Sequence, residues 1–200
     1  MADVEELEQQ VADLQQRLDQ GTARFSKLIE IGTLLNSTLK LDELLELIMS
    51  SATELLGAET SSLLLRDEET NELTIEVVTQ EQRDDVVKQR VPAGVGIAGW
   101  VVEHAEPVVV KDARDDPRFY TGLDERTGFE TRSIVAVPLR TKEHVVGVVE
   151  IINELDGDFE ESDVELATAL ANQAGVAIDN ARLYARLADA VVTSRLSYRL

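Results

Sequence analysis

The chain has 200 residues, enough for one compact domain with extensions. Its 44% hydrophobic content is that of a folded protein, while its net charge of -20 repels phosphate backbones and anionic membranes, so neither nucleic acid nor a membrane surface is an expected partner. It contains no cysteine, which excludes disulfides, thiolate metal sites, thiol nucleophiles and thioether-linked chromophores together.

Residues 1–20 carry Val4, Leu7, Val11, Leu14 and Leu18 at alternating spacings of three and four, a coiled-coil seam whose register continues through Phe25 and Leu28. Two or three heptads are short, so the seam calls for a partner helix and a dimer is expected. The alternative is one amphipathic helix lying on its own domain.

A second helix is expected over 41–57, with Asp42 and Glu43 at its positive end and Gly57 as its cap. Strands follow at 61–67 and 72–80, where the alternation of "LTIEV" marks one buried face, and a weaker strand at 86–92. Residues 93–106 read as a glycine-rich turn into a short helix, and 107–112 as a strand. The segment 113–131 is long, irregular and polar, with one or two helical turns, and such a connection in a compact domain is functional or disordered. Two strong strands, 132–140 and 144–153, are joined by a hairpin loop. A long helix spans 160–196, and Gln173, Ala177, Asn180, Tyr184, Leu187, Val191 and Ser194 extend a second three-four seam along it.

The fold class is therefore α+β: about six mostly antiparallel strands flanked by helices, with long N- and C-terminal helices. The expected division is a coiled-coil helix at 1–22, a domain at 23–187 and a helical extension at 188–200. No apolar run approaches the roughly 20 residues of a membrane span, and the acidic N-terminus lacks a signal-peptide core, so a cytoplasmic location is expected.

Three motifs invite over-reading. "GVGIAG" matches GxGxxG at Gly94, Gly96 and Gly99, but a dinucleotide fold needs alternating βαβ units, and the flanking strands here pair as hairpins. Its local chemistry survives, since amides at a helix N-terminus attract an anion. "LATALANQAGVAIDNARL" has a helix-turn-helix look around Ala171 and Gly175, without a basic recognition face. "DARDDP" lacks the spacing of a calcium loop. His104 and His144 read as structural or solvated rather than as metal or haem ligands. No nucleophile–base pair or metal cluster is legible, so the chain is not expected to be an enzyme.

The run "FYTGLDERTGFETRSIVAVPL", followed by "VVGVVEIIN" and "FEESDVELATALANQAGVAIDNA", resembles the GAF domain family, closest to the cyclic-nucleotide-binding GAF domains of phosphodiesterases and adenylyl cyclases. The resemblance covers about residues 23–187. It implies a regulatory small-molecule sensor, with cAMP or cGMP as the non-covalent ligand, a homodimer joined through its terminal helices, and an output or signalling domain as partner. It places the ligand's phosphate near Ile97, Ala98 and Gly99, the binding tyrosine at Tyr120, two threonines at Thr127 and Thr131, a strand glutamate at Glu150, a strand serine at Ser62 and a base-reading position near Thr79. The chemistry is consistent: threonine hydroxyls can serve phosphate or ribose oxygens, and a carboxylate inside an apolar strand needs a partner. The alternatives are a hydrogen-bonded corner for the threonines and a surface-facing position for Glu150. One departure stands out. Asn153, Phe159 and Asp163 match the family's lid signature, but Glu154 stands where it has lysine and Val164 where it has an acid. The alternative function is a ligand-free dimerisation and relay module.

Overall fold

The computed structural model describes residues 40–79, 86–141 and 144–197, with scattered helical positions between 7 and 26, and side chains through Tyr184. In chain order the elements are α1 (Leu41–Leu56), β1 (Ala58–Arg66), β2 (Leu73–Val78), β3 (Arg90–Val91), α2 (Gly96–His104), β4 (Val108–Val110), α3 (Gly122–Thr127), β5 (Ile134–Arg140), β6 (Val145–Glu154) and α4 (Glu161–Ser197). The strands form one antiparallel sheet in the order β3-β2-β1-β6-β5-β4.

The sheet is covered on both faces, which explains why its central strands read as near-continuous apolar runs. Leu63 and Leu65 of β1, Val135 and Val137 of β5, and Val149 and Ile151 of β6 pack under α1 and α4. The alternate residues Leu64, Ile134, Ala136 and Val148 face the other way, toward α2 and the segments that follow it. Glu150 falls in this second set, between Val149 and Ile151, so it lies on a covered face rather than on the surface.

On the first face, α1 buries Leu44, Leu45, Ile48, Met49, Ala52, Leu55 and Leu56, and it ends as expected at Gly57. The small residues Ala167, Ala171 and Ala174 let α4 approach the sheet, and Gly175 brings it closer still. A β-carbon on Gly175 would stand 2.1 Å from the Arg140 carbonyl oxygen. The glycine is a close-packing residue in an unbroken helix, which disposes of the helix-turn-helix look.

Two expectations change. The weak third strand shrinks to Arg90–Val91, because residues 86–88 turn, with the Lys88 and Gln89 amides bonded to the Ile75 and Val86 carbonyls and Lys88 at φ 68. The glycine motif, by contrast, keeps its expected reading: β3 and β4 lie at opposite edges of the sheet, joined across its face by the connection that contains α2, which is not a dinucleotide-binding unit. Ala177 is buried against the domain and cannot belong to an outward seam, whereas Gln173, Asn180 and Tyr184 are exposed. Leu7, Val11, Leu14 and Leu18 are helical and exposed; Val4, Phe25 and Leu28, and the side chains of Leu187, Val191 and Ser194, lie outside the described residues. Among the described residues no helix is long and apolar enough to cross a membrane.

Candidate ligand pocket

Between the sheet face under α2 and the segment 119–131 lies a cavity of about 110 Å³. Its floor follows from strand register. Glu150 on β6 pairs with Ser62 on β1 and with Ala136 on β5. Two small neighbours leave space above a long side chain, and the carboxylate occupies its edge. Ser62 donates to Glu150 Oε2 at 2.9 Å. Protein encloses Glu150, and the part of it that solvent can reach faces the cavity. Burial raises its pKa above the ordinary carboxyl value, and the single bond from Ser62 offsets only part of that.

One wall is the N-terminus of α2, where Gly96, Ile97 and Ala98 line the cavity. The first-turn amides of a helix have no partner within it, and no side chain caps this one. Gly99 does not line the cavity. Its amide donates to the Val95 carbonyl at 3.2 Å, and a β-carbon there would stand 2.6 Å from the Gly94 carbonyl carbon. The role of Gly99 is to close the turn that aims the helix.

The roof is the segment around α3. Tyr120 is 48% exposed and lies across Gly122, whose β-carbon would collide with its ring. Thr127 Oγ1 donates to the Leu123 carbonyl at 2.9 Å and accepts from the Phe129 amide at 3.2 Å. Thr131 is buried, and both its amide and its hydroxyl donate to Asp124, at 2.8 and 2.7 Å. Both threonines therefore line the cavity and at the same time tie the roof together. Thr79 does not reach the cavity. Its hydroxyl lies 3.1 Å from that of Thr60, which does line it, and accepts from the Ser61 amide at 3.0 Å. Seven of the nine expected residues thus surround one space: Ser62, Ile97, Ala98, Tyr120, Thr127, Thr131 and Glu150.

Sequence reasoning missed Asp124, which clamps Thr131. Its signal was an acid at the start of a helical turn, seven residues before a threonine. It also undervalued Asn153, fully buried at φ 59. Asn153 Oδ1 accepts from the amides of Arg132 and Ser133, at 2.7 and 3.2 Å, and Nδ2 donates to the Glu130 carbonyl at 2.9 Å and to Glu59 at 3.0 Å. It pins the end of the roof to the sheet. Asp163 accepts from the Glu160 amide at 2.9 Å, capping α4. The other end of the roof is held through Arg118, which forks onto Asp116 and lies 4.8 Å from the centroid of the Trp100 ring. That guanidinium holds the Asp116 carboxyl below its usual range.

The lining is mostly apolar. Among the described residues its ionisable side chains are Asp124, Glu150 and Tyr120, with no Lys or Arg. An anionic group inside would depend on backbone amides rather than on a cationic side chain. Among the described residues no cluster of His, Cys, Asp and Glu could hold a metal ion.

A two-sided antiparallel sheet with a roofed pocket on one face defines an α+β domain with an internal cavity. A family model for the GAF domain matches residues 40–178, and the chain belongs to that family. Among curated relatives it is 37% identical over 110 residues to the dual 3',5'-cyclic-AMP and -GMP phosphodiesterase 11 of Drosophila melanogaster, covering 54% of this chain and 7% of that protein. It is 26% identical over 180 residues to the probable 3',5'-cyclic phosphodiesterase pde-5 of Caenorhabditis elegans, covering 84% and 24%. The chain therefore matches only a small part of these relatives' length. Among solved structures it resembles the GAF domain of a phosphoenolpyruvate-protein phosphotransferase from Coxiella burnetii, with TM-score 0.74, 23% identity and coverage of 82% and 96%. It also resembles the free methionine-R-sulfoxide reductase of Neisseria meningitidis, with TM-score 0.68, 21% identity and coverage of 80% and 91%.

Proposed function

We propose that this chain is a regulatory sensor module rather than an enzyme, and that its roofed pocket binds a cyclic nucleotide. The observation that carries this reading is the convergence of Ser62, Glu150, Thr127, Thr131, Tyr120 and the N-terminus of α2 on one cavity. The phosphate sits on the α2 amides, the base and ribose lie along the apolar floor, and Thr127, Thr131 and Glu150 meet the polar edge. Similarity to cyclic-nucleotide phosphodiesterases supports the ligand class.

Size adds a requirement. A cavity of about 110 Å³ is of the order of one that holds a single aromatic ring, roughly 150 Å³. Pockets for drug-sized ligands run to about 300–1,000 Å³. The roof therefore moves outward when a nucleotide enters, and the signal lies in that movement. Coupling requires that the two roof states differ in ligand affinity. The domain spans 23–187, with helical extensions at 1–22 and 188–200 that carry the change to an output domain of a cytoplasmic homodimer. The exposed row Leu7, Val11, Leu14 and Leu18, and exposed Leu183 and Tyr184, support helix pairing in that dimer.

A second reading, a ligand-free dimerisation and relay module, is favoured by the same small cavity and by the engagement of both threonine hydroxyls within the roof. Calorimetric titration with cAMP and cGMP separates the two. Saturable binding that is lost in a folded Thr127→Ala, Thr131→Ala variant supports the sensor. A folded parent that binds neither nucleotide leaves the relay.

A further inference from the structure

Outside the roof lies a second cavity, of about 240 Å³, separated from the ligand pocket by a wall they share: Val91, Tyr120 and Leu123. Its polar lining differs in kind. Arg90 of β3, Arg126 of α3 and Gln89 face it, and among the described residues its lining has no acid. In a chain with 39 acids and 19 bases, a cavity whose described lining holds two arginines runs against the overall charge.

The two guanidinia are held in place. Arg126 donates through Nε to the Gly122 carbonyl at 3.1 Å and through Nη2 to the Gln89 side-chain oxygen. Among the described residues it forms no ion pair. Arg90 is 2.9 Å from Glu72 through Nη1. A guanidinium carries five N–H donors in a planar fork, so each arginine retains donors beyond these contacts. The two come from different parts of the domain: Arg90 from the edge strand of the fixed sheet, and Arg126 from the last turn of the roof helix.

We propose that this cavity is an anion site for a phosphoryl group with two or more charges, and that the bound anion bridges Arg90 and Arg126 to latch the roof shut from outside. Oxygen-rich tetrahedral anions match the arginine fork, and Tyr120 supplies a third polar group at the wall. A free polyphosphate and the polyphosphate tail of a nucleotide share this chemistry. The site is separate from the cyclic-nucleotide reading and stands whether or not that ligand binds.

The test is NMR titration of the full chain with pyrophosphate, following the Arg90 and Arg126 Nε–H signals, with a nucleoside diphosphate in a parallel arm. The expected result is saturable shifts of both signals, at least tenfold weaker binding in Arg126→Gln and in Arg90→Gln, and slower amide exchange at Glu125 and Gly128. Pyrophosphate is titrated with no cyclic nucleotide present, so failure here is distinguishable from failure of the inner site. Equal affinity for the two anions assigns the site to a free anion, and tighter diphosphate binding assigns it to a nucleotide tail. Absence of saturation, or binding by Arg126→Gln as tight as the parent's, overturns the proposal.

Discussion

Thr131→Val tests the roof most sharply, because it removes one hydroxyl and almost no volume. In the structure that hydroxyl donates to Asp124 at 2.7 Å from a side chain that is 4% exposed. A hydrogen bond to a charged group contributes about 1.5–3 kcal/mol. Asp124 keeps its second bond, from the Thr131 amide at 2.8 Å, and is only half-buried, so the low end of that range applies. If the roof opens as a unit of its own, a loss of about 1.5 kcal/mol raises its opening equilibrium roughly tenfold. The reporting amides are Glu125, bonded to the Thr121 carbonyl at 3.0 Å, and Gly128, bonded to the Asp124 carbonyl at 2.8 Å. Hydrogen exchange at both should accelerate about tenfold, while exchange in the central strands β1 and β6 changes less. Asp124→Ala in the same background should add less than its effect alone, because the two residues share one interaction. Unchanged exchange at Glu125 and Gly128, alongside a full loss of global stability, would refute a separately opening roof.

Three further outcomes follow from the packing and from burial. Gly175→Ala places a methyl 2.1 Å from the Arg140 carbonyl oxygen; overpacking costs about 1–3 kcal/mol or more and outweighs the gain of about 1 kcal/mol in helix propensity, so thermal unfolding should shift down by several degrees. Asn153→Ala strands the Arg132 and Ser133 amides and should cost about 1–3 kcal/mol in urea denaturation. Glu150 binds its proton more tightly folded than unfolded, so its contribution to stability is fully present below the unfolded value of about 4.5 and is lost as pH rises through the raised folded value. Glu150→Gln should therefore flatten the fall in stability across that window; a fall identical in parent and variant contradicts the assignment.

The fold was legible in the sequence where burial is one-sided. "LTIEV" alternates because β2 lies near one edge of the sheet, and α1 announces both its ends with Asp42, Glu43 and Gly57. It was less legible in the central strands. β6 is covered on both faces, so "VVGVVEIIN" carries no alternation, and only the register with Ser62 and Ala136 reveals that Glu150 faces a cavity. The expected roof residues Tyr120, Thr127 and Thr131 line the cavity, but a threonine's type does not say what its hydroxyl meets. Leu123 and Asp124 are local partners that compete with any ligand. Thr79 and Gly99 show the same limit. Both have structural duties beside the cavity, one bracing β1 and the other closing the turn before α2.

The central claim is that a cyclic nucleotide enters beneath the roof with its phosphate on α2. Amide NMR of the isotope-labelled chain during titration with cGMP and with cAMP tests it most directly. Saturable shifts concentrated at Gly96, Ile97 and Ala98 and along Tyr120–Thr131, abolished by Ala98→Leu, are the predicted result. A folded chain whose signals stay still at those positions through millimolar nucleotide contradicts it.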